Sequence, residues 1–147
     1  MSAPVASFWQ NTFWRSTLSA RATHDLPVPK PVDEATVLSK AVVRAARLLA
    51  LSQRGLARIL GVSDATASRL FAGHYLLSPA RAKEWELALL LVRLFRSLDA
   101  LWGHGEAAHS WLTSNNIALV ARPVDLIHSV EGLVRVVNYL DNARGRL

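Results

Sequence analysis

Apolar side chains recur at three- and four-residue intervals through most of this chain, the spacing that gathers them on one face of an α-helix, and no segment alternates convincingly with period two. The pattern predicts a first helix from a cap at Asp33 or Thr36 to about Leu51. Its inner face is Val37, Leu38, Ala41, Val42, Ala45, Leu48 and Leu49, with Lys40, Arg44 and Arg47 outward. A short helix carrying Leu56, Ile59 and Leu60 comes next, then another that opens at Ser63 and carries Ala67 and Leu70. Ser78-Pro79 predicts the next N-terminus, a serine cap with proline at the first helical position, and this long helix reaches about Leu101. It is apolar along Trp85, Leu89, Val92 and Leu98 and again along Leu91 and Phe95. A belt that wide is buried on more than one side: part joins the earlier helices to the later ones, and part is available as a dimer seam. After Trp102-Gly103 come a helix over 106–113 anchored by Trp111 and Leu112, a stop at Asn115-Asn116 and a helical turn from Pro123. Ser129 caps a last helix from Val130 to about Ala143, with Leu133, Val136, Val137 and Leu140 inward. The expected fold class is all-α.

Residues 52–73, SQRGLARILGVSDATASRLFAG, meet every demand of two helices crossing steeply. Such a crossing needs a small residue inside it, a turn residue tolerant of positive φ, and apolar side chains facing both partners. Ala57 is the small residue, Gly61 makes the turn, and Leu56, Leu60, Val62, Ala67 and Leu70 supply the contacts. Ser63 caps the second helix, leaving Asp64, Ala65, Thr66, Ser68 and Arg69 to solvent or to a groove. The alternative is an ordinary bundle pair that crosses near a glycine.

Charge is uneven along the 147 residues, whose net is +6. Residues 35–97 hold ten Lys/Arg against three Asp/Glu, residues 98–147 four against five, and residues 1–34 three of each. The cationic excess thus surrounds the two short helices, where it favours phosphate through counterion release. The longest wholly apolar run, residues 87–92, is six long, far short of the roughly 18 residues of a membrane span. With no cysteine and no apolar block in the opening SFWQNTFW, a soluble cytoplasmic protein is expected. Residues 1–32, with Pro4, Pro27, Pro29 and Pro31, read as a mobile arm. The aromatic pairs Phe8-Trp9 and Phe13-Trp14 within it fit either a docked helical turn or an unfolded tail.

From Leu51-Ser52-Gln53 to Gly73 the chain resembles the phage-repressor (Xre, Cro-like) helix-turn-helix family, matching LSQ..LA..LGVS..T.SR...G nearly residue for residue. The resemblance implies operator DNA as partner, read by a homodimer. The DNA-binding residues are then Gln53 on the backbone, Ser63 and Asp64 at the leading edge, and Thr66, Ser68 and Arg69 for direct readout. Asp64 is a difficulty, since an acid there either accepts from a cytosine amino group or repels phosphate.

The last third resembles the toxin-binding domain of the Xre/MbcA/ParS antitoxins. The matching residues are Trp111-Leu112, the Asn-Asn turn with Ala118-Leu119 after it, Arg122-Pro123 with Asp125-Leu126-Ile127, and Ser129-x-Glu131-Gly132 followed by residues 136–140. Where the family has a threonine cap before the proline, this chain has Arg122. Gly132, early in a helix where glycine costs about 1 kcal/mol against alanine, points to close approach of another backbone or to a plain packing glycine. The domains expected are the arm 1–32, a helix-turn-helix domain 33–97 and a helical toxin-binding domain 98–147.

The five histidines lack metal-site spacing: His104 and His109 are five apart rather than four. No nucleophile elbow and no glycine-rich phosphate loop occur. The expectation is a type II antitoxin, not an enzyme, with no cofactor and no metal. The resemblance further implies a cognate RES-domain toxin that degrades NAD. Arg122, Pro123, Glu131, Gly132, Arg144, Gly145, Arg146 and Leu147 are the expected toxin contacts, the last four forming a tail that plugs the toxin's dinucleotide pocket. The alternative is a stand-alone transcription regulator whose C-terminal helices dimerise or bind a ligand.

Overall fold

Caps fix where the helices begin. In the computed structural model, which describes residues 33–146, the Asp33 carboxylate accepts from the Ala35 amide and the Thr36 hydroxyl to open α1 (Glu34–Leu48). Ser52 opens α2 (Gln53–Leu60) and Ser63 opens α3 (Asp64–Phe71), each by accepting an amide three residues on. The long α4 (Ala82–Trp102) is followed by α5 (Glu106–Thr113), the single turn α6 (Pro123–Leu126) and α7 (Val130–Arg144), which Ser129 caps. The aromatic pairs of the expected arm and Leu147 lie outside the described residues. No helix of the described residues is long and apolar enough to cross a membrane.

Two helix ends differ from the sequence expectation. α1 stops at Leu48 because Ala50 adopts a left-handed φ of 54° and the Leu51 amide turns back onto the Ala46 carbonyl. Ser78-Pro79 forms a turn, with the Ser78 hydroxyl accepting from the Ala80 amide, and α4 begins only at Ala82. Arg81 delays it: its guanidinium donates to the Leu76 carbonyl and to Glu84 and lies over the Tyr75 ring, while Tyr75 donates to the same carboxylate. Between α5 and α6 a lone antiparallel bridge pairs Asn116 with Ala121.

α4 is the axis of the molecule. Leu87, Ala88, Leu91, Leu94 and Leu98 are its buried face, packed with Leu38, Val42 and Leu49 of the first helix and its end, Leu56, Ile59 and Leu60 of α2, and Leu133, Val136, Val137 and Leu140 of α7. The core therefore runs unbroken from α1 to α7, and residues 33–146 make one compact unit. A polar lock reinforces the α4–α7 contact, with the buried Ser97 hydroxyl donating to Asp141 at 2.8 Å and accepting from Arg144 at 3.3 Å. Arg93 closes the lock on the other Asp141 oxygen. Part of the expected inner face is outside: Val37 is 51% and Leu89 49% exposed. Ser39 takes a buried place instead, donating to the Ala35 carbonyl and accepting from the Leu77 amide, which pins the loop after α3 to α1.

Candidate functional site

The α2–turn–α3 unit is built as the spacing requires. Gly61 turns at φ 68°, where a β-carbon is disfavoured, and its amide and that of Val62 close back on α2 carbonyls. Leu56, Ala57, Leu60, Ala67 and Leu70 are buried at the crossing. Of the expected DNA-binding residues, Gln53, Ser63, Asp64, Ser68 and Arg69 are exposed and Thr66 is half-buried. Three of them are mutually positioned. The Ser63 hydroxyl accepts from the Thr66 amide and donates to Thr66 Oγ1, and Arg69 donates to the same Oγ1 at 3.3 Å while its guanidinium lies over Tyr75. With two donors already on its oxygen, Thr66 has its own proton to offer, so Ser68 and Arg69 carry the freer polar atoms of the face.

Asp64 is not left to itself. Arg54, in the first turn of α2, approaches its carboxylate at 3.5 Å, which lowers the negative field at the leading edge of α3. Sequence reasoning missed Arg54, because a pair ten residues apart across a turn leaves no local signal. Arg54 and Arg58 also line a cleft of about 290 Å³ together with Ser52, Gly55, Val124 and His128, so a residue from the α6–α7 junction borders the cationic α2 surface. Desolvation first, and the nearby Arg58 second, push the His128 pKa down, against a smaller opposing pull from Asp125.

The expected toxin contacts fall into two groups at opposite ends of α7. Arg122 supplies no cap to α6 and instead grips Asp125 through two hydrogen bonds of 2.8 and 3.1 Å, one to each carboxylate oxygen. Pro123 follows at the first helical position and is buried. Glu131 is exposed in the first turn of α7, where an acid suits the helix dipole. Gly132 is buried, and a β-carbon there would lie 2.0 Å from the Leu126 carbonyl oxygen. The backbone that demands this glycine is thus the chain's own α6, so neither Pro123 nor Gly132 presents surface to a partner. Thirteen residues on from Glu131, about 20 Å along α7, Arg144 is held by Ser97, while Gly145 and Arg146 are exposed. Leu147 lies outside the described residues.

Sequence reasoning read the stretch between α5 and α6 as an apolar loop but gave no role to Ile117, which is 96% exposed, or Val120, which is 80% exposed. Single letters in a loop do not tell which of them the bridge turns outward.

Residues 29–93 match the family model of the antitoxin Xre-like helix-turn-helix domain, and residues 97–146 that of the antitoxin Xre/MbcA/ParS C-terminal toxin-binding domain. The boundary between the two stretches falls inside α4. No curated protein matches the chain.

Proposed function

We propose, from the premise that the chain belongs to the Xre/MbcA/ParS antitoxins, that it inhibits a cognate RES-domain NAD-degrading toxin in the cytoplasm and represses its own promoter as a homodimer. The observation that carries this is the tandem of the two matched domains, the first implying DNA and the second a toxin. The protein acts by binding alone.

On DNA, a dimer presents two copies of α3 to half-sites about one helical turn apart. Gln53 meets the backbone, Ser63 and Asp64 stand at the groove edge, and Thr66, Ser68 and Arg69 read base edges, Arg69 being suited to guanine. The dimer seam is the apolar stripe of α1 and α4, where Val37, Leu89, Trp85, Val92 and Phe95 line a groove of about 710 Å³ together with Glu34, Arg44 and Arg96. A two-fold axis across that groove sets the acid of each copy against the cations of the other, which favours a second copy as its occupant.

On the toxin, Arg122 contributes from the start of α6 and Glu131 from the start of α7. Arg144, Gly145, Arg146 and Leu147 occupy the dinucleotide pocket, their guanidinium groups suited to a site that accepts anionic phosphates. The test is co-expression with the product of the adjacent gene. The expected result is a co-purifying complex, preserved cellular NAD and a retarded promoter fragment; removal of residues 145–147 is expected to leave the complex and release the NAD loss. A chain that binds its promoter but captures and silences no neighbour is instead a stand-alone regulator.

A further inference from the structure

The loop joining α5 to α6 is shaped to push two aliphatic side chains into water. The Asn116 amide donates to the Ala121 carbonyl at 3.0 Å, and the Asn116 side-chain oxygen accepts from the Leu119 amide at 3.0 Å. Leu119 is thereby turned into the core, where it is 3% exposed, and its neighbours Ile117 and Val120 are turned out. Val120 achieves this at φ 57°. For a β-branched residue the left-handed region is an outlier that costs on the order of 1–3 kcal/mol.

The turn buries Leu119, but the side chains of Ile117 and Val120 themselves gain nothing to offset that cost. At 80% and 96% exposure the two side chains bury little, and Gly or Asn at position 120 makes the same turn without strain. The ridge is also not isolated. On the adjoining flank of α7, Val130 and Val134 are exposed, and Ala118 and Leu119 share with Glu131, Val134, Arg135 and Asn138 a cleft of about 500 Å³. The four exposed aliphatic residues lie within the stretch that matches a toxin-binding domain. Glu131 and Arg135 set one charge of each sign beside them, so the surface is apolar at its centre and electrically balanced at its rim, the anatomy of a protein-binding patch.

We propose that this ridge, Ile117 and Val120 with the Val130–Val134 flank of α7, is the principal docking surface for the cognate toxin, its two loop side chains seated in an apolar pocket of that protein. The inference rests on the antitoxin reading and deepens it. A stable interface needs roughly 1,000 Å² or more, which Arg144, Gly145 and Arg146 at the end of α7 do not offer by themselves. The ridge holds the toxin and the tail blocks it. A protruding knob fits a concave partner better than its own copy, because a two-fold contact opposes knob to knob.

The test uses the full chain, the toxin encoded beside it, and three variants: Ile117→Ser, Val120→Gly and the two together. Ile117 is almost wholly exposed and Val120→Gly relieves strain, so each variant is expected to keep the helical circular dichroism, a thermal midpoint no lower than the parent's, and promoter binding. Toxin affinity is expected to fall at least about thirty-fold in the double variant, as truncation of central anchors does. Parent and double variant binding the toxin within threefold of each other overturns the ridge alone. A parent chain that does not bind the toxin overturns the antitoxin reading and the ridge together.

Discussion

The Arg54 guanidinium spans the helix-turn-helix to reach Asp64, 3.5 Å from Nε to Oδ2, joining the first turn of α2 to the first turn of α3. Both side chains are mostly exposed, so the pair adds little to folding. Its consequence is electrostatic: one cation of the helix-turn-helix surface is neutralised by an acid of the same surface. Asp64→Asn frees Arg54 for phosphate. Promoter affinity is expected to rise and the slope of log K against log salt to steepen by about one, with the thermal midpoint shifted by no more than about 1 °C. A salt titration of binding measures it, and an unchanged slope places Arg54 away from the DNA.

Leu89 stands 49% exposed on the α4 stripe. If α1 and α4 form the seam of the proposed homodimer, Leu89→Glu is expected to leave the fold intact, since little packing is lost, and to yield a monomer by setting two like charges at that seam. Light scattering gives the mass, and promoter binding is expected to weaken at least tenfold once the two recognition helices are uncoupled.

At Gly132 two effects oppose one another. Alanine has the better helix propensity by about 1 kcal/mol, but its β-carbon would stand 2.0 Å from the Leu126 carbonyl oxygen and 2.7 Å from its carbon. Neither backbone atom can yield without separating α6 from α7, and overpacking of this kind costs about 3 kcal/mol or more. The contact wins. Gly132→Ala is expected to lower the thermal midpoint by roughly 10 °C, and a midpoint unchanged or raised rejects the close approach.

Ala50 carries the left-handed turn that ends α1, at φ 54° with its side chain exposed. An L-residue in that region costs about 1–2 kcal/mol, of which glycine's greater unfolded freedom takes back about 0.5–1 kcal/mol. Ala50→Gly is therefore expected to raise the thermal midpoint by about 1–4 °C, read by calorimetry.

His128 has its pKa pushed below the ordinary 6.5 by desolvation and by Arg58. The unfolded chain therefore binds the proton more readily than the folded one, and stability rises with pH across that interval. The contribution is complete above about pH 6.5 and is lost as pH falls from there through the depressed value. His128→Gln is expected to flatten the dependence of the thermal midpoint on pH below 6.5. An identical slope in parent and variant assigns it to other groups.

Much of this molecule was legible as letters because its rules are local. Ser63 caps the amide three residues on, Gly61 takes the left-handed turn and Ser129 opens the last helix; a cap and its partner sit within one turn, so spacing alone places them, while the matching cap at Ser52 was passed over. Periodicity likewise gave the inner face of α7, Leu133, Val136, Val137 and Leu140. On α4 the same reasoning had less to work with, for apolar residues lie nearly all round that helix. Only its neighbours decided that Leu87, Leu91 and Leu94 go in while Leu89 stays out. The start of α4 was missed because Arg81 answers to Leu76, Tyr75 and Glu84 rather than to the serine that precedes it.

The sequence by itself therefore determined the helices, most of their ends, the reading unit and its cationic surroundings. Tertiary structure alone decided that Arg54 meets Asp64, that the backbone demanding Gly132 is Leu126, and that Ile117 and Val120 face water. Hydrogen bonds of a cap and the period of a helix act over three or four residues. Those other relationships depend on how whole helices cross or a loop closes, which no short window of the chain contains.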